Sequence, residues 1–585
     1  MAPARTLPPP VLIVGTGPVG LFQAYALAKL DVPSIIIGRH KERLGAPKAH
    51  ALSPRSLEIC RQFGISVDEI RKHPAFREDA KWVRFCTNLS GQAVGHLPYE
   101  RMSLDVLDVS PEMLHNIAQP DFEDMVDKLI EKEPHVDVRK GWTWMSCTES
   151  TRDGQPIVVS VVQNTYTGET TTIESSVLIG CDGANSRVRK NVGIESEGEE
   201  TGNADLRPVV KENVGMLHWI MDPEARGFII AYDLSGNQVL IHNFDSNYHP
   251  LESFTDEKCL KIVKAAIGDD AVPVKLHSTL PWILRRQVAN EYYRGRVMLA
   301  GDSAHSFPPT GGLGLNSGLG DAHNLAFKIA AVHHGWASLP TVLASYDEER
   351  RPVALRNSTQ SVINGVKIFA LLKALKNTGP DPVVARREMM EALANPEQAA
   401  LISKLIEGQV EHFDNLMLHI GYVYEPNWNP ANATDFVPAY RKGARLAHAW
   451  IKPATNCVES LPEVDLSYLA GDLAEDKVAQ WNYSTLDLVP AASYALLYAK
   501  DTAWASKAAD LKAQLAARHI PVVLVEHGVD FEFVDAAAGQ AWLDGFGLDK
   551  GNAILVRPDQ HIAVVTDAAQ PVDELVKEAL ATLQV

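Results

Sequence analysis

The stretch VLIVGTGPVG at 11–20 restricts this chain more than any other. Four apolar residues, 11–14, ended by glycine read as a buried parallel strand. GTGPVG follows, then an amphipathic helical stretch to about Leu30, then a second apolar run at 35–37. Strand, glycine turn, helix and strand make a βαβ unit. In the GxGxxG pattern Gly15 allows the tight turn, Gly17 lets the backbone approach a pyrophosphate, and Gly20 lets the helix pack on the strand. The helix N-terminus then faces the phosphate charge. A glycine turn that binds nothing is the plain alternative; the position between a strand and a helix favours a dinucleotide site. The end of the second strand, where an acid normally binds the ribose, reads Gly38-Arg39.

Two further glycine motifs follow buried-strand patterns. CDGANSRVR (181–189) comes after VLIG, and LAGDSAHSFPPTGGLGLNSGLGDAHNLAFKIA (299–330) comes after RVM. Asp302 ends a strand, and the glycine-rich loop behind it runs into a helix holding Asn316 and Asp321. An aspartate there can accept from a ribityl hydroxyl, while the helix N-terminus can face an electron-rich ring or a phosphate. The competing reading, in which Asp302 only caps the helix, leaves the glycines, prolines and asparagine between 308 and 316 unexplained. Between about 200 and 280 the pattern changes: GFIIAYD (227–233) and QVLIHNF (238–244), separated by LSGN, read as an antiparallel hairpin. IVVSVV (157–162) is a further buried-strand candidate. Residues 316–375 and 382–418 read as helical, 425–460 as loop-rich, and the tail as helix (503–518), strands (521–526, 553–557, 561–565) and helix (571–583).

Charge and cysteine usage narrow the partners. Acidic residues outnumber basic ones by 73 to 55 in 585 residues, a formal net charge of −18. A field of that sign repels phosphate backbones, so no nucleic-acid partner is expected. The six cysteines show no CxxC and no paired Cys/His spacing, which argues against a disulfide framework and a metal site and fits a reducing compartment. No apolar run of membrane-spanning length occurs, so a cytoplasmic protein without membrane attachment is expected.

The three motifs, in this order and spacing, resemble the group A flavoprotein aromatic hydroxylases, FAD-dependent monooxygenases with the p-hydroxybenzoate hydroxylase fold. PKAHALSPRSLEICRQFG (47–64) is similar to that family's conserved stretch, HNIAQPDFEDMV (115–126) resembles its phenol and chlorophenol hydroxylase branch, and so does WILRRQVANEYYRGRVMLAGD (282–302). GARLAHAW (443–450), STLDLV (484–489) and LVRPDQHIA (555–563) resemble the branch's appended thioredoxin-like domain. Without a CxxC that domain cannot run dithiol chemistry, which leaves it packing or dimerisation. The implied fold is α/β: a Rossmann-like FAD-binding domain (8–80, 107–194, 290–425), an inserted mixed or antiparallel substrate sheet (81–106, 195–289) and a thioredoxin-like α/β domain (440–585).

The resemblance also implies a site. Gly15, Gly17 and Gly20 hold the ADP half of FAD, Arg55 and Gln119 approach the pyrophosphate and ribityl chain, and Asp182 and Gly183 contact FAD from the second motif. Asp302 takes the ribityl oxygens, and Pro309, Gly314, Leu315 and Asn316 line the isoalloxazine. Arg39 and Lys48 are further cofactor-binding candidates. Lys48 stands where arginine is usual, keeping the charge and losing the fork geometry. The resemblance implies that NADPH or NADH would reduce the flavin, which would capture O2 as a C4a-hydroperoxide and pass one oxygen to an electron-rich ring carbon. Such a reaction needs a dry pocket and gains from a base near the phenol. His50 is the candidate base, able to take a phenolic proton near neutral pH. Arg285, Arg286, Tyr232 and His242 lie on segments that could face the substrate, and Arg285 and Tyr232 join His50 as catalytic candidates. The expected partners are a small aromatic substrate, O2 and a second copy of the chain. The alternatives are Baeyer–Villiger or epoxidising oxygenation of a polyketide-type substrate, and a non-oxygenating FAD-binding redox protein.

Overall fold

The computed structural model describes residues 8–42, 49–193, 199–200, 213–233, 237–243, 250, 253–277, 282–283, 286–454, 463–566 and 569–583. Lys48 and Arg285 lie outside the described residues.

The first apolar runs pair as their composition requires. Val11–Val14 lies at the centre of a six-stranded sheet in the order 293–294, 297–299, 178–180, 11–14, 34–38, 136–140. All neighbours run parallel except the 293–294 edge. The three strands that precede the three glycine motifs are therefore adjacent, and their loops emerge together at the carboxyl ends. In an open parallel sheet that is where ligands bind. Pro18–Lys29 packs on this sheet and Leu313–His333 packs on that helix; Gly318 on the second helix sits so close that a methyl there would lie 2.5 Å from Val19 on the first.

The 157–162 run is a strand, Gln155–Asn164, but it belongs to a separate three-stranded antiparallel sheet with Trp142–Arg152 and Thr170–Ser175. Its apolar run reflects one face packed on the main core, where Val158 and Val162 are buried. The hairpin read at 227–244 is present as Gly227–Asp233 against Asn237–His242. It forms one side of a five-stranded sheet with Leu217–Ile220, Trp82–Cys86 and Ala93–Pro98. Trp144 and Trp219 are core residues, while Trp82 and Trp142 are partly exposed.

The tail is larger than its sequence pattern suggests: a seven-stranded sheet in the order 483–484, 450–453, 531–533, 522–527, 494–499, 553–556, 562–566. Tyr494–Ala499, buried at every position, is one of four strands the local pattern left out, with 450–453, 483–484 and 531–533. Among the described residues no helix is long and apolar enough to cross a membrane.

Candidate active site

The first motif is built around two glycines that cannot change and one that faces open space. Gly15 holds φ +118°, and a methyl there would sit 2.2 Å from the Cys181 carbonyl oxygen; one on Gly20 would sit 2.1 Å from the Gly15 carbonyl oxygen. A methyl on Gly17 would meet nothing within 4 Å. Gly17 opens the helix Pro18–Lys29 with no side-chain cap and no acid in its first turn, so the free N–H groups and positive helix end are left for an anion. Gly38 has its own reason to be glycine: a methyl there would lie 2.4 Å from Thr16 Oγ1. An acid at that position would collide with the turn itself, and the neighbouring Arg39 is exposed.

The second motif is anchored by Asp182. Its carboxylate accepts from Arg187 N (2.7 Å), Val188 N (3.2 Å) and the Ser186 hydroxyl, so it caps the helix Arg187–Asn191. Gly183, at φ +80°, has open space where a side chain would be. Arg189 ties this motif to the third by donating to the Ser303 carbonyl at 2.8 Å.

In the third motif Asp302 is exposed at the carboxyl edge of the sheet. Behind it Asp321 accepts from His305 Nε2 (2.7 Å), Arg350 Nε (2.9 Å) and Gly301 N (3.1 Å), which fixes the 301–305 turn to two helices. Helix Leu313–His333 opens at Gly312, φ +63°, again without a side-chain cap. Asn316 accepts from Ser53 N (2.9 Å) and Ser56 Oγ (2.7 Å) and donates to Ala51 O (3.0 Å) and Gly312 O (2.8 Å). It thereby locks the 51–56 segment to the glycine loop. Gly314 has nothing within 4 Å of a built methyl, and Pro309 and Leu315 are partly exposed beside it. Arg55 is held largely by the tail: its Nη1 donates to Glu58 (2.9 Å) and Gln560 (2.7 Å) and its Nη2 to Asp559 O (2.9 Å), which leaves its Nε as the donor without a protein partner among the described residues. Gln119 starts the helix Gln119–Ile130, and its amide donates to Glu123.

On the other side of the glycine loop, the inserted sheet brings an aromatic wall to His50. His50 Nε2 and the Tyr99 hydroxyl are 2.9 Å apart, and the Tyr232 ring meets the His50 ring edge-on at 5.8 Å. Tyr232 donates to Ala49 O at 3.4 Å. Burial pushes His50 down to about 4, so its imidazole is neutral at physiological pH and a weak acceptor for a phenolic proton. That burial disfavours the expected role of His50 as the base. Burial pushes both tyrosines upward, which keeps their hydroxyls protonated. Sequence reasoning passed over Tyr99 and its neighbour Glu100, a carboxyl pushed up to about 8 by burial and by Asp414. Two candidates point elsewhere: Arg286 donates to Thr359 Oγ1 at 3.0 Å, and His242 packs on Phe254. Among the described residues no group of three or more His, Cys, Asp or Glu is placed to hold a metal.

Uncapped helix ends, side-chain-free approaches at Gly17, Gly183 and Gly314, and an exposed Asp302 at adjacent strand ends together fit a flavin dinucleotide. The sequence matches a family described as an FAD binding domain over residues 9–361. The chain belongs to that family. This FAD-binding-domain protein is 28% identical over 588 residues to the tetracenomycin A2 monooxygenase-dioxygenase of Streptomyces glaucescens, covering 95% of this chain and 92% of that one. It is 27% identical over 609 residues to the 2,4-dichlorophenol 6-monooxygenase of Cupriavidus pinatubonensis, covering 96% and 93%. A solved structure of the flavin-dependent monooxygenase PieE with FAD and substrate superposes with a TM-score of 0.80 at 24% identity over the whole of both chains, which shows the shared fold. The FAD-binding-domain protein is thus a flavin-dependent aromatic monooxygenase, with FAD as its cofactor.

Proposed function

We propose that this monooxygenase hydroxylates a phenolic ring bound between the Gly312–Asn316 loop and the wall formed by His50, Tyr99 and Tyr232, with NADPH or NADH as reductant. FAD, when bound, supplies the reduced flavin that activates O2 for transfer of one oxygen atom. Gly15, Gly17 and Gly20 would hold its ADP half, Asp302 the ribityl hydroxyls, and Pro309, Gly314, Leu315 and Asn316 the ring system. The observation that carries the reading is the hydroxyl-bearing wall beside that loop: the neutral Tyr99 hydroxyl, held by His50, can hydrogen-bond a phenolic oxygen, and the rings of Tyr99 and Tyr232 exclude water. His50 holds the Tyr99 hydroxyl in place, a positioning role that needs no titration.

We infer the same division into an FAD-binding part, an inserted sheet and a tail, and the three largest sheets support it. A second reading, oxygenation of a polycyclic polyketide-type substrate by ring hydroxylation, Baeyer–Villiger insertion or epoxidation, is favoured by the near full-length likeness to the tetracenomycin enzyme. One experiment addresses both: consumption of NADPH or NADH by the yellow holoenzyme across phenols, hydroxybenzoates and polycyclic polyphenols, with product mass under labelled O2. Gain of one oxygen with the ring intact is the expected outcome. The hydroxylase reading fails if no compound accelerates nicotinamide oxidation. A product with an inserted ring oxygen or an epoxide replaces it with the second reading.

A further inference from the structure

The turn after strand Ala93–Pro98 carries a carboxyl with unusual surroundings. Glu100 is only 7% exposed, and among the described residues no cation pairs with it; the adjacent Arg101 turns to Asp414 at 2.9 Å. Glu100 and Arg101 both hold left-handed φ, +46° and +48°, a strain of about 1–3 kcal/mol each that persists only where the surroundings enforce it. The Glu100 N–H donates to the Phe413 carbonyl. Asn415 hydrogen-bonds the Glu100 carboxyl and also reaches the Gly311 carbonyl at 3.4 Å. A methyl built on Gly312 would lie 4.0 Å from Glu100 Oε1 and 3.9 Å from the Ala51 Cβ, with nothing else within 4 Å. The carboxyl therefore fronts the glycine loop, one residue from the Tyr99 that meets His50.

We propose that Glu100 is the proton acceptor of this site, taking the phenolic proton of a substrate seated between Gly312 and the Tyr99–Tyr232–His50 wall. This rests on the phenolic reading above. The phenolic O–H bond breaks, the proton joins a Glu100 carboxylate oxygen, and the electron pair stays on the substrate oxygen, where it raises electron density on the ring. Nothing is oxidised or reduced in the step, and Glu100 returns the proton to solvent as product leaves. The charges bear this out. His50 is held neutral and the two tyrosines protonated, whereas burial and the facing Asp414 raise Glu100 to about 8, against the hydrogen bonds from Asn415 that favour its ionised form. A base that changes charge close to the working pH is the efficient one.

The test uses the FAD-loaded full chain and 2-naphthol as the probe. Infrared difference spectra of the wild type should lose a carboxylic-acid C=O band with a midpoint near pH 8 and regain it when 2-naphthol is added above that pH. Glu100→Gln should show neither change, and Glu100→Asp should restore both. With 2-naphthol, kcat/KM should rise with the same midpoint in the wild type. In Glu100→Gln it should fall on the order of 10²-fold and lose that pH dependence, while FAD affinity is kept. If 2-naphthol is oxygenated but the band does not return, or if Glu100→Gln keeps the wild-type pH profile, the proposal is overturned and the hydroxylase reading stands. If neither 2-naphthol nor any other phenol stimulates nicotinamide oxidation, the hydroxylase reading falls and takes the proposal with it. Should Glu100→Gln fail to fold, the wild-type band decides alone.

Discussion

Gly15 and Gly17 stand two residues apart and answer to different constraints. At Gly15 the backbone is left-handed and the Cys181 carbonyl occupies the side-chain position, 2.2 Å from a built methyl. Gly15→Ala should therefore destabilise the apoprotein by about 2 kcal/mol or more, since overpacking and a strained φ add together. Gly17 has extended backbone, φ −79°, and open space on its side-chain side. Gly17→Ala should leave apoprotein stability within about 0.5 kcal/mol. Its methyl would instead meet the cofactor and weaken FAD binding about tenfold or more. Urea unfolding of the apoprotein and FAD titration separate the two effects, and an unchanged FAD Kd in Gly17→Ala would remove the pyrophosphate assignment. Both glycines were legible because the motif spacing encodes the turn. Glu100 was not, because nothing in PYERM states which side of a strand end it will face.

The helix Pro54–Gln62 shows the same limit for a whole element. All nine of its residues are buried, although its sequence carries two arginines, a glutamate and a glutamine. Arg61 makes two 3.0 Å bonds to Asp487. Glu58 accepts from Arg445 at 2.7 and 2.9 Å, from Arg55 at 2.9 Å and from Ser110 at 2.7 Å. The partner arginine lies 387 positions away in sequence, so no local pattern distinguishes this buried helix from a solvated one. Where the resemblance sends Arg55 to the pyrophosphate, its two Nη atoms also meet the tail through Gln560 and Asp559. Burial works to raise Glu58, and the Arg445 and Arg55 guanidiniums override it, holding the carboxyl at about 2. Arg557 and Lys328 do the same for Glu349, also at about 2. Both folded values lie below the ordinary 4.5, so each group stabilises the fold above that pH and loses its contribution as pH falls towards 2. The loss is about 3 kcal/mol per group. Acid titration followed by tryptophan fluorescence should show unfolding that begins below about pH 4.5 and steepens towards 2. A transition complete above pH 5 would show that this seam does not control acid stability.

At the scale of the molecule the main core is continuous, running from the first sheet into the tail through Tyr494, Leu496 and Trp504. The tail is therefore part of the body that supports the flavin site. Among the described residues that this body leaves exposed is a stripe on the long helix Leu339–Ala374: Leu355, Val362 and Phe369 at intervals of seven, with Ile363 and Val366 beside them. Such spacing places the apolar groups along one seam, and we infer that a second copy of the chain covers it. Sedimentation should give twice the monomer mass, and Val366→Lys with Phe369→Lys should halve it; a wild-type monomer would refute the dimer. The sequence by itself determined the βαβ start, the three glycine motifs that each follow a strand pattern, the inserted hairpin and the flavin they imply, because turn and strand chemistry is written within a few neighbouring residues. Only the tertiary structure decided that the three strand ends lie side by side, that Arg55 is bound by the tail, that Asp182 caps a helix, and that His50 is buried against Tyr99. Those outcomes depend on burial and on partners from distant parts of the chain, and desolvation and long-range ion pairing leave no local trace in the order of the residues.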